Sequence, residues 1–94
     1  MAVLSKAELD ELLEKQQGWE LQDGKLVREW RFRDFVEAMK FVDFVAEVAE
    51  EAGHHPDIDI RYNKVKLGLV THDEGGISSK DADMAARLGA RFDI

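Results

Sequence analysis

Cysteine is absent from the 94 residues, and proline occurs once, at Pro56. Without a thiol there is no disulfide, no thiolate metal site and no cysteine nucleophile, which suits a reducing compartment. Basic side chains are also scarce, 13 against 20 acidic ones, for a formal net charge of -7. Such a balance repels phosphate backbones and anionic membrane surfaces, because counterion release needs Lys and Arg presented together. Nucleic acid and membrane are therefore not expected partners. No apolar run has the length of a membrane span, and Met1-Ala2-Val3-Leu4-Ser5-Lys6 lacks the apolar stretch of a signal peptide, so a cytoplasmic location is expected. Serine-nucleophile motifs, phosphate-binding glycine loops and dinucleotide fingerprints are missing too.

What is present has the balance of an ordinary globular protein, 45% hydrophobic and 35% charged. The length predicts one domain, residues 1–94, with a single core. Ser5-Lys6-Ala7-Glu8 is a capping-box pattern opening a helix over about 6–16, with Leu9, Leu12 and Leu13 on one stripe. Asp23-Gly24 is a strong two-residue hairpin signal between strands at 19–22 and 25–32. Alternation places Trp19, Leu21, Leu26, Trp30 and Phe32 on the face to be covered. Asp34-Phe35-Val36-Glu37 opens a second helix that Gly53 stops. One stripe on it is Phe35, Ala38, Val42, Val45 and Ala49, and another is Phe41, Phe44 and Val48. This apolar surface is wider than one sheet face needs, so either a second helix or a subunit contact should cover the rest. Ser78-Ser79-Lys80-Asp81 caps a last helix carrying Ala82, Met84, Ala85 and Leu88. The order α-β-β-α-β-β-α predicts an α+β fold, a four-stranded antiparallel sheet covered by helices on one face.

All three histidines fall in the stretch from Glu50 to Asp81, beside the single proline. Taking Asn63-Lys64 as a two-residue turn pairs Tyr62 with Val65, Ile60 with Leu67 and Ile58 with Leu69, one wholly apolar face. The same register sets Asp59 opposite Gly68, Asp57 opposite Val70 and His55 opposite His72. Histidine is the side chain that serves as acid and base near neutrality, so a cluster of three favours proton transfer over the ordinary tolerance of surface loops for a lone one. Glu50 and Glu51 lie in the last turn of a helix, where the dipole disfavours anions, and His54 or His55 would compensate. Asp81 has a structural role available as the N3 residue of the Ser78 capping box. Zinc is the competing chemistry, since His54, His55, His72 and Glu50 or Asp73 are suitable ligand types. Adjacent histidines on an extended segment point to opposite faces, however, and would converge only if Pro56 re-aimed them.

Glu50, three residues, His54-His55-Pro56, five residues, Tyr62, nine residues, His72, eight residues and Asp81: this spacing resembles the signature of the pterin-4a-carbinolamine dehydratases. Tyr62-Asn63-Lys64-Val65, Thr71-His72, Arg31-Phe32, Asp34-Phe35 and Ala38 extend the resemblance over nearly the whole chain. It implies the same element order. It also implies an enzyme that dehydrates 4a-hydroxytetrahydrobiopterin, or a related 4a-hydroxytetrahydropterin, to the quinonoid dihydropterin in tetrahydrobiopterin recycling, with no metal or cofactor. By resemblance the catalytic set is His54, His55 and His72, supported by Glu50 and Asp81. His54 and His72 would exchange protons with the 4a-hydroxyl and N5, and His55 would hold the pterin. Pro56, Thr71, Asp73 and Glu74 join the histidines in substrate binding. Many members carry tryptophan two residues after the proline, where this chain has Ile58. A homo-dimer or homo-tetramer is expected. The alternatives are a non-catalytic interaction module, like the members that act as a dimerisation cofactor for a homeodomain transcription factor, and a histidine-ligated metal site.

Overall fold

The computed structural model describes residues 3–92; Met1, Ala2, Asp93 and Ile94, the ends of the expected domain, lie outside the described residues. The elements follow in the order α1 (Lys6–Lys15), β1 (Glu20–Gln22), β2 (Lys25–Arg31), α2 (Phe35–Ala52), β3 (Asp57–Arg61), β4 (Lys64–Leu69) and α3 (Ser79–Arg91), with a 3-10 turn at His72–Glu74. The four strands make one antiparallel sheet in the order β1-β2-β4-β3, the α+β architecture that the sequence pattern predicts.

The helix ends form where the side-chain chemistry puts them. Ser5 and Glu8 close a reciprocal capping box on α1, and Ser78 and Asp81 close another on α3. Asp34 caps α2 by accepting from the Glu37 N–H, a bond that, with the neighbouring Arg33 guanidinium, lowers its carboxyl from the usual range. Gly53 ends α2 in the left-handed region at φ 61, a conformation that costs glycine little. In the first hairpin Asp23 and Gly24 take φ 49 and 79, and Gln22 pairs with Lys25 as the turn requires.

Leu26 and Trp30 from β2, Phe32 just after it, and Val65, Leu67 and Leu69 from β4 face the helices and form one core with Ala38, Phe41, Val45, Val48, Ala49, Met84, Ala85 and Leu88. Phe41 is its aromatic hub, with ring centroids 4.6 Å from Trp30, 5.2 Å from Phe32 and 4.9 Å from Phe92. Phe92 also lies 5.4 Å from Phe44, and Val48 is buried. The second apolar stripe of α2 is therefore packed largely from within the chain, with Phe44 half-buried. Two members of the expected core faces stay exposed instead: Leu21 on the short edge strand β1, and Phe35 in the first turn of α2. The alternation also brings Arg28 onto the buried face. Its guanidinium stacks 4.5 Å from the Trp30 ring centroid and donates to the Gln17 carbonyl.

The second hairpin corrects the expected register by two residues. Its turn is Tyr62-Asn63, so Arg61 pairs with Lys64, Ile60 with Val65, Ile58 with Leu67 and Asp57 with Gly68. The cause lies on the other side of β4. Asn63 continues the β2–β4 ladder, accepting from Phe32 N–H at 2.8 Å and donating from Nδ2 to Phe32 O at 2.9 Å. That ties Asn63 to β2 and leaves Tyr62 to take the turn with φ 55. An even slip keeps the strand side chains on their faces, so Ile58 and Ile60 still point to the helix side, while Tyr62 leaves that face for the turn and is exposed. They nevertheless remain 40% and 37% exposed, because β3 is an edge strand beyond the cover of the helices.

Truncating the aromatic hub tests this account of the core. Phe41→Ala should lower the unfolding free energy by roughly 3–5 kcal/mol, read from urea midpoints at unchanged slope. A loss below about 1 kcal/mol would mean that the contacts of Phe41 are not what closes the helices onto the sheet.

Candidate functional site

Once Gly53 has turned the chain out of α2, the next two residues carry imidazoles that part company. His54 is anchored by its backbone N–H to the Ala49 carbonyl, and its Nε2 lies 2.5 Å from Asp81 Oδ1 on α3. His55 turns back along α2, with Nε2 2.6 Å from Glu50 Oε2. The first pair is buried, with side-chain exposures of 10% and 0%, and the second is open, at 65% and 78%. An open pair in water is screened and holds its geometry weakly, whereas a buried carboxylate and imidazole keep theirs. The expected compensation of the acidic α2 end is thus found in His55 and Glu50.

Asp81 is fully buried among donors. Its Oδ2 accepts from the Ser78 N–H at 2.9 Å and from Thr71 Oγ1 at 2.8 Å, and its Oδ1 faces His54. The cap expected for Asp81 is present, and the same side chain also meets His54. One carboxylate does both jobs because its two oxygens point different ways, Oδ2 to the helix start and Oδ1 to the imidazole. A carboxylate in its ionised form can only accept, and against that form His54 Nε2 would carry the hydrogen and Nδ1 would be the ring nitrogen left over.

Thr71 reaches this cluster from the end of β4, where a bridge to Gly76 closes a tight loop; Thr71 N–H donates to Gly76 O at 2.9 Å, and Gly75 takes φ 77. His72 and Asp73 are exposed on that loop and Glu74 is half-buried. The imidazole of His72 has no hydrogen-bond partner among the described residues, and its position adjoins Thr71 in the chain. The expected pairing of His55 with His72 does not form. Beyond Asp57 and Gly68 the ladder ends, and the chain leaves it through the Thr71–Gly76 loop. The structure therefore joins His54, Thr71, Ser78 and Asp81 into one buried network, sets His55 with Glu50, and leaves His72 on the loop that Thr71 begins. Pro56, half-buried, leads from His55 into β3.

Among the described residues no three His, Asp or Glu side chains gather as metal ligands, since His54 and His55 each face a separate carboxylate. Nor is any helix of the described residues long and apolar enough to cross a membrane. A groove of about 550 Å³ between α2 and α3, with Val48, Ala52, Met84 and Ala86 along it, reaches His54. A depression of about 270 Å³ on the uncovered sheet face, over Gly68, contains no histidine. Ser78 is the member of the network that the sequence reading left as a cap alone. The signal was the glycine pair Gly75-Gly76, which returns the chain to Thr71 just before Ser78.

With this geometry in view, comparison with known proteins is specific. The family model described as pterin 4 alpha carbinolamine dehydratase matches residues 2–90. A protein of Acidobacterium capsulatum named "Putative pterin-4-alpha-carbinolamine dehydratase" is 53% identical over 90 residues, 96% of this chain and 98% of its own. A Thermomicrobium roseum protein of the same name is 53% identical over 88 residues, 94% of this chain and 95% of its own. Among solved structures, a transcriptional coactivator/pterin dehydratase from Brucella melitensis superposes with a TM-score of 0.89 at 36% identity, covering 94% of this chain and 96% of that one. A pterin dehydratase-like protein identified as a RuBisCO assembly factor in the alpha-carboxysome superposes at 0.63 with 25% identity, covering 77% and 83%.

The double role of Asp81 has a stability consequence. Asp81→Ala removes the acceptor for three donors in a buried site and should cost about 2–4 kcal/mol, beyond the roughly 1 kcal/mol of a cap alone. Glu50→Ala, at an open pair, should leave the urea midpoint unmoved. Equal midpoints for the two variants would contradict the buried network.

Proposed function

The chain belongs to the pterin 4 alpha carbinolamine dehydratase family, and from that premise we propose that it dehydrates 4a-hydroxytetrahydrobiopterin, or a related 4a-hydroxytetrahydropterin, to the quinonoid dihydropterin in tetrahydrobiopterin recycling. The observation that carries this reading is the buried pair of His54 and Asp81 beside the loop of His72. The reaction breaks the C4a–O bond, removes the proton of N5 and forms the C4a=N5 double bond, so water is the only other product. It transfers no electrons. One group must protonate the departing hydroxyl and another must accept the N5 proton, and imidazoles do both near neutrality.

His54 is one of these two, held at Nε2 by Asp81 so that Nδ1 is its working atom. His72, unengaged on its loop, is the other. His55, oriented by Glu50, contacts the pterin rather than moving its protons. Pro56, Thr71, Asp73 and Glu74 complete the substrate-binding edge, Thr71 through its backbone because its hydroxyl is engaged inside. Ile58 stands where many members place tryptophan, which leaves a narrower wall beside the ligand. Neither metal nor cofactor takes part. Residues 1–94 act as one cytoplasmic unit, with no affinity for nucleic acid or membrane.

The unit associates with itself as a dimer or tetramer. Support for that comes from the edge strand β3, whose Ile58 and Ile60 stay exposed, and from Phe35 and Val36 at the start of α2. The same surfaces support a second reading, an interaction module without catalysis, which the description of the Brucella melitensis protein as a transcriptional coactivator/pterin dehydratase also favours.

Turnover of a 4a-hydroxytetrahydropterin, followed spectrophotometrically, separates the readings. The parent should be active and keep its rate in EDTA; loss of rate with rescue by zinc would establish a metal site in its place. His72→Ala should lower turnover by roughly 10² to 10⁴ with little change in stability. Sedimentation at micromolar concentration should give a multiple of the chain mass, and a single-chain mass would refute self-association.

A further inference from the structure

Thr71 and Ser78 are almost wholly buried, 3% and 0% exposed, and each has one hydroxyl hydrogen to give. Thr71 Oγ1 donates to Asp81 Oδ2 at 2.8 Å. It therefore has no hydrogen left for Ser78, and the 2.7 Å contact between the two hydroxyls must run from Ser78 Oγ to Thr71 Oγ1. Ser78 Oγ in turn accepts from the Lys80 N–H at 3.2 Å, a donor fixed by the first turn of α3. The hydrogen bonds thus run one way, from the helix start through Ser78 and Thr71 to the carboxylate. Ser78 N–H adds a second fixed donor to the same oxygen.

We propose that Thr71 and Ser78 are positioning residues of the reaction, a directional hydroxyl chain that orients Asp81 and through it holds His54 as the Nε2–H tautomer with Nδ1 presented to the substrate. Deepening the dehydratase reading, the assignment rests on it for its kinetic part only. Two donors on Oδ2 fix the carboxylate plane, which sets where Oδ1 meets His54. Without the Thr71 hydroxyl, Oδ2 keeps the Ser78 N–H alone and the carboxylate can rotate about that bond. His54 then samples both tautomers, and the fraction with a working Nδ1 falls. The effect belongs to kcat, because neither hydroxyl reaches the substrate.

The first test needs no variant. Nitrogen NMR of the parent's labelled histidines should find neutral His54 as Nε2–H, and a parent with Nδ1–H on His54 overturns the proposal. Thr71→Val, which removes the hydroxyl at nearly constant volume, should lose about tenfold in kcat with KM little changed, the scale of one hydrogen bond to a charged group. Thr71→Ser should recover kcat to within about twofold, since it restores the donor. Equal loss in the Val and Ser variants would assign the effect to the methyl group and overturn the chain, as would an unchanged kcat in Thr71→Val. A parent with no turnover would refute the dehydratase reading instead. The tautomer comparison then decides alone: mixed tautomers in Thr71→Val with a single one in Thr71→Ser supports the chain, and a single one in both overturns it.

Discussion

A carboxylate removed from water must find its hydrogen bonds inside the protein, and the buried Asp81 does so by drawing three separate segments to one point. The segment after β4 supplies the Thr71 hydroxyl, the start of α3 the Ser78 N–H, and the segment after α2 the His54 ring. Each donor arrives because a local rule places it there: a bridge closing a tight loop, a capping box, and a left-handed glycine ending a helix. The penalty for leaving such a group unpaired is what makes the three local structures depend on one another. Stability and site geometry are here the same set of bonds.

The contrast between the two adjacent histidines follows from that constraint. His54 pairs where water is excluded and its partner cannot rotate freely, so its orientation is set by the fold. His55 and Glu50 are joined at a similar distance but in solvent, where side-chain entropy and screening compete with the bond. Two residues of one kind, next to each other in sequence, thereby acquire different mechanical properties. A site that needs one rigid proton-transfer group and one adaptable ligand contact can be built from such a pair.

The sheet contributes through asymmetry. Its central strands β2 and β4 carry the core face and anchor the aromatic hub at Phe41, while the edges β1 and β3 keep apolar residues in view. Phe92 and α3 pack against the second stripe of α2, so exposed apolar side chains are found at the β1 and β3 edges and in the first turn of α2. The histidine-bearing segments lie at the connections into β3 and out of β4, where ladder pairing stops and side chains are free to face other elements.

Periodicity, caps and turn chemistry by themselves determined the element order, the starts of all three helices, the first hairpin and the residues of most of the core. These are local effects, decided by neighbours within a few positions of the chain. The clustering of His54, His55 and His72 near Pro56, and its family spacing with Glu50 and Asp81, likewise lay open in the sequence. The tertiary structure alone decided three other things. The second hairpin turns at Tyr62-Asn63 because Asn63 is bound by Phe32, a residue 31 positions away whose pull no local turn preference contains. The second apolar stripe of α2 is packed against α3 and Phe92, since a helix stripe specifies that it must be buried but not by what. And the partner of His54 was settled by where the chain returns: it meets Asp81, 27 positions away, whereas the pair of His55 with Glu50 is local, and neither histidine meets His72. A local pattern can state that a polar group needs a partner; only the folded chain, by bringing distant segments within hydrogen-bond reach and excluding water there, selects which one.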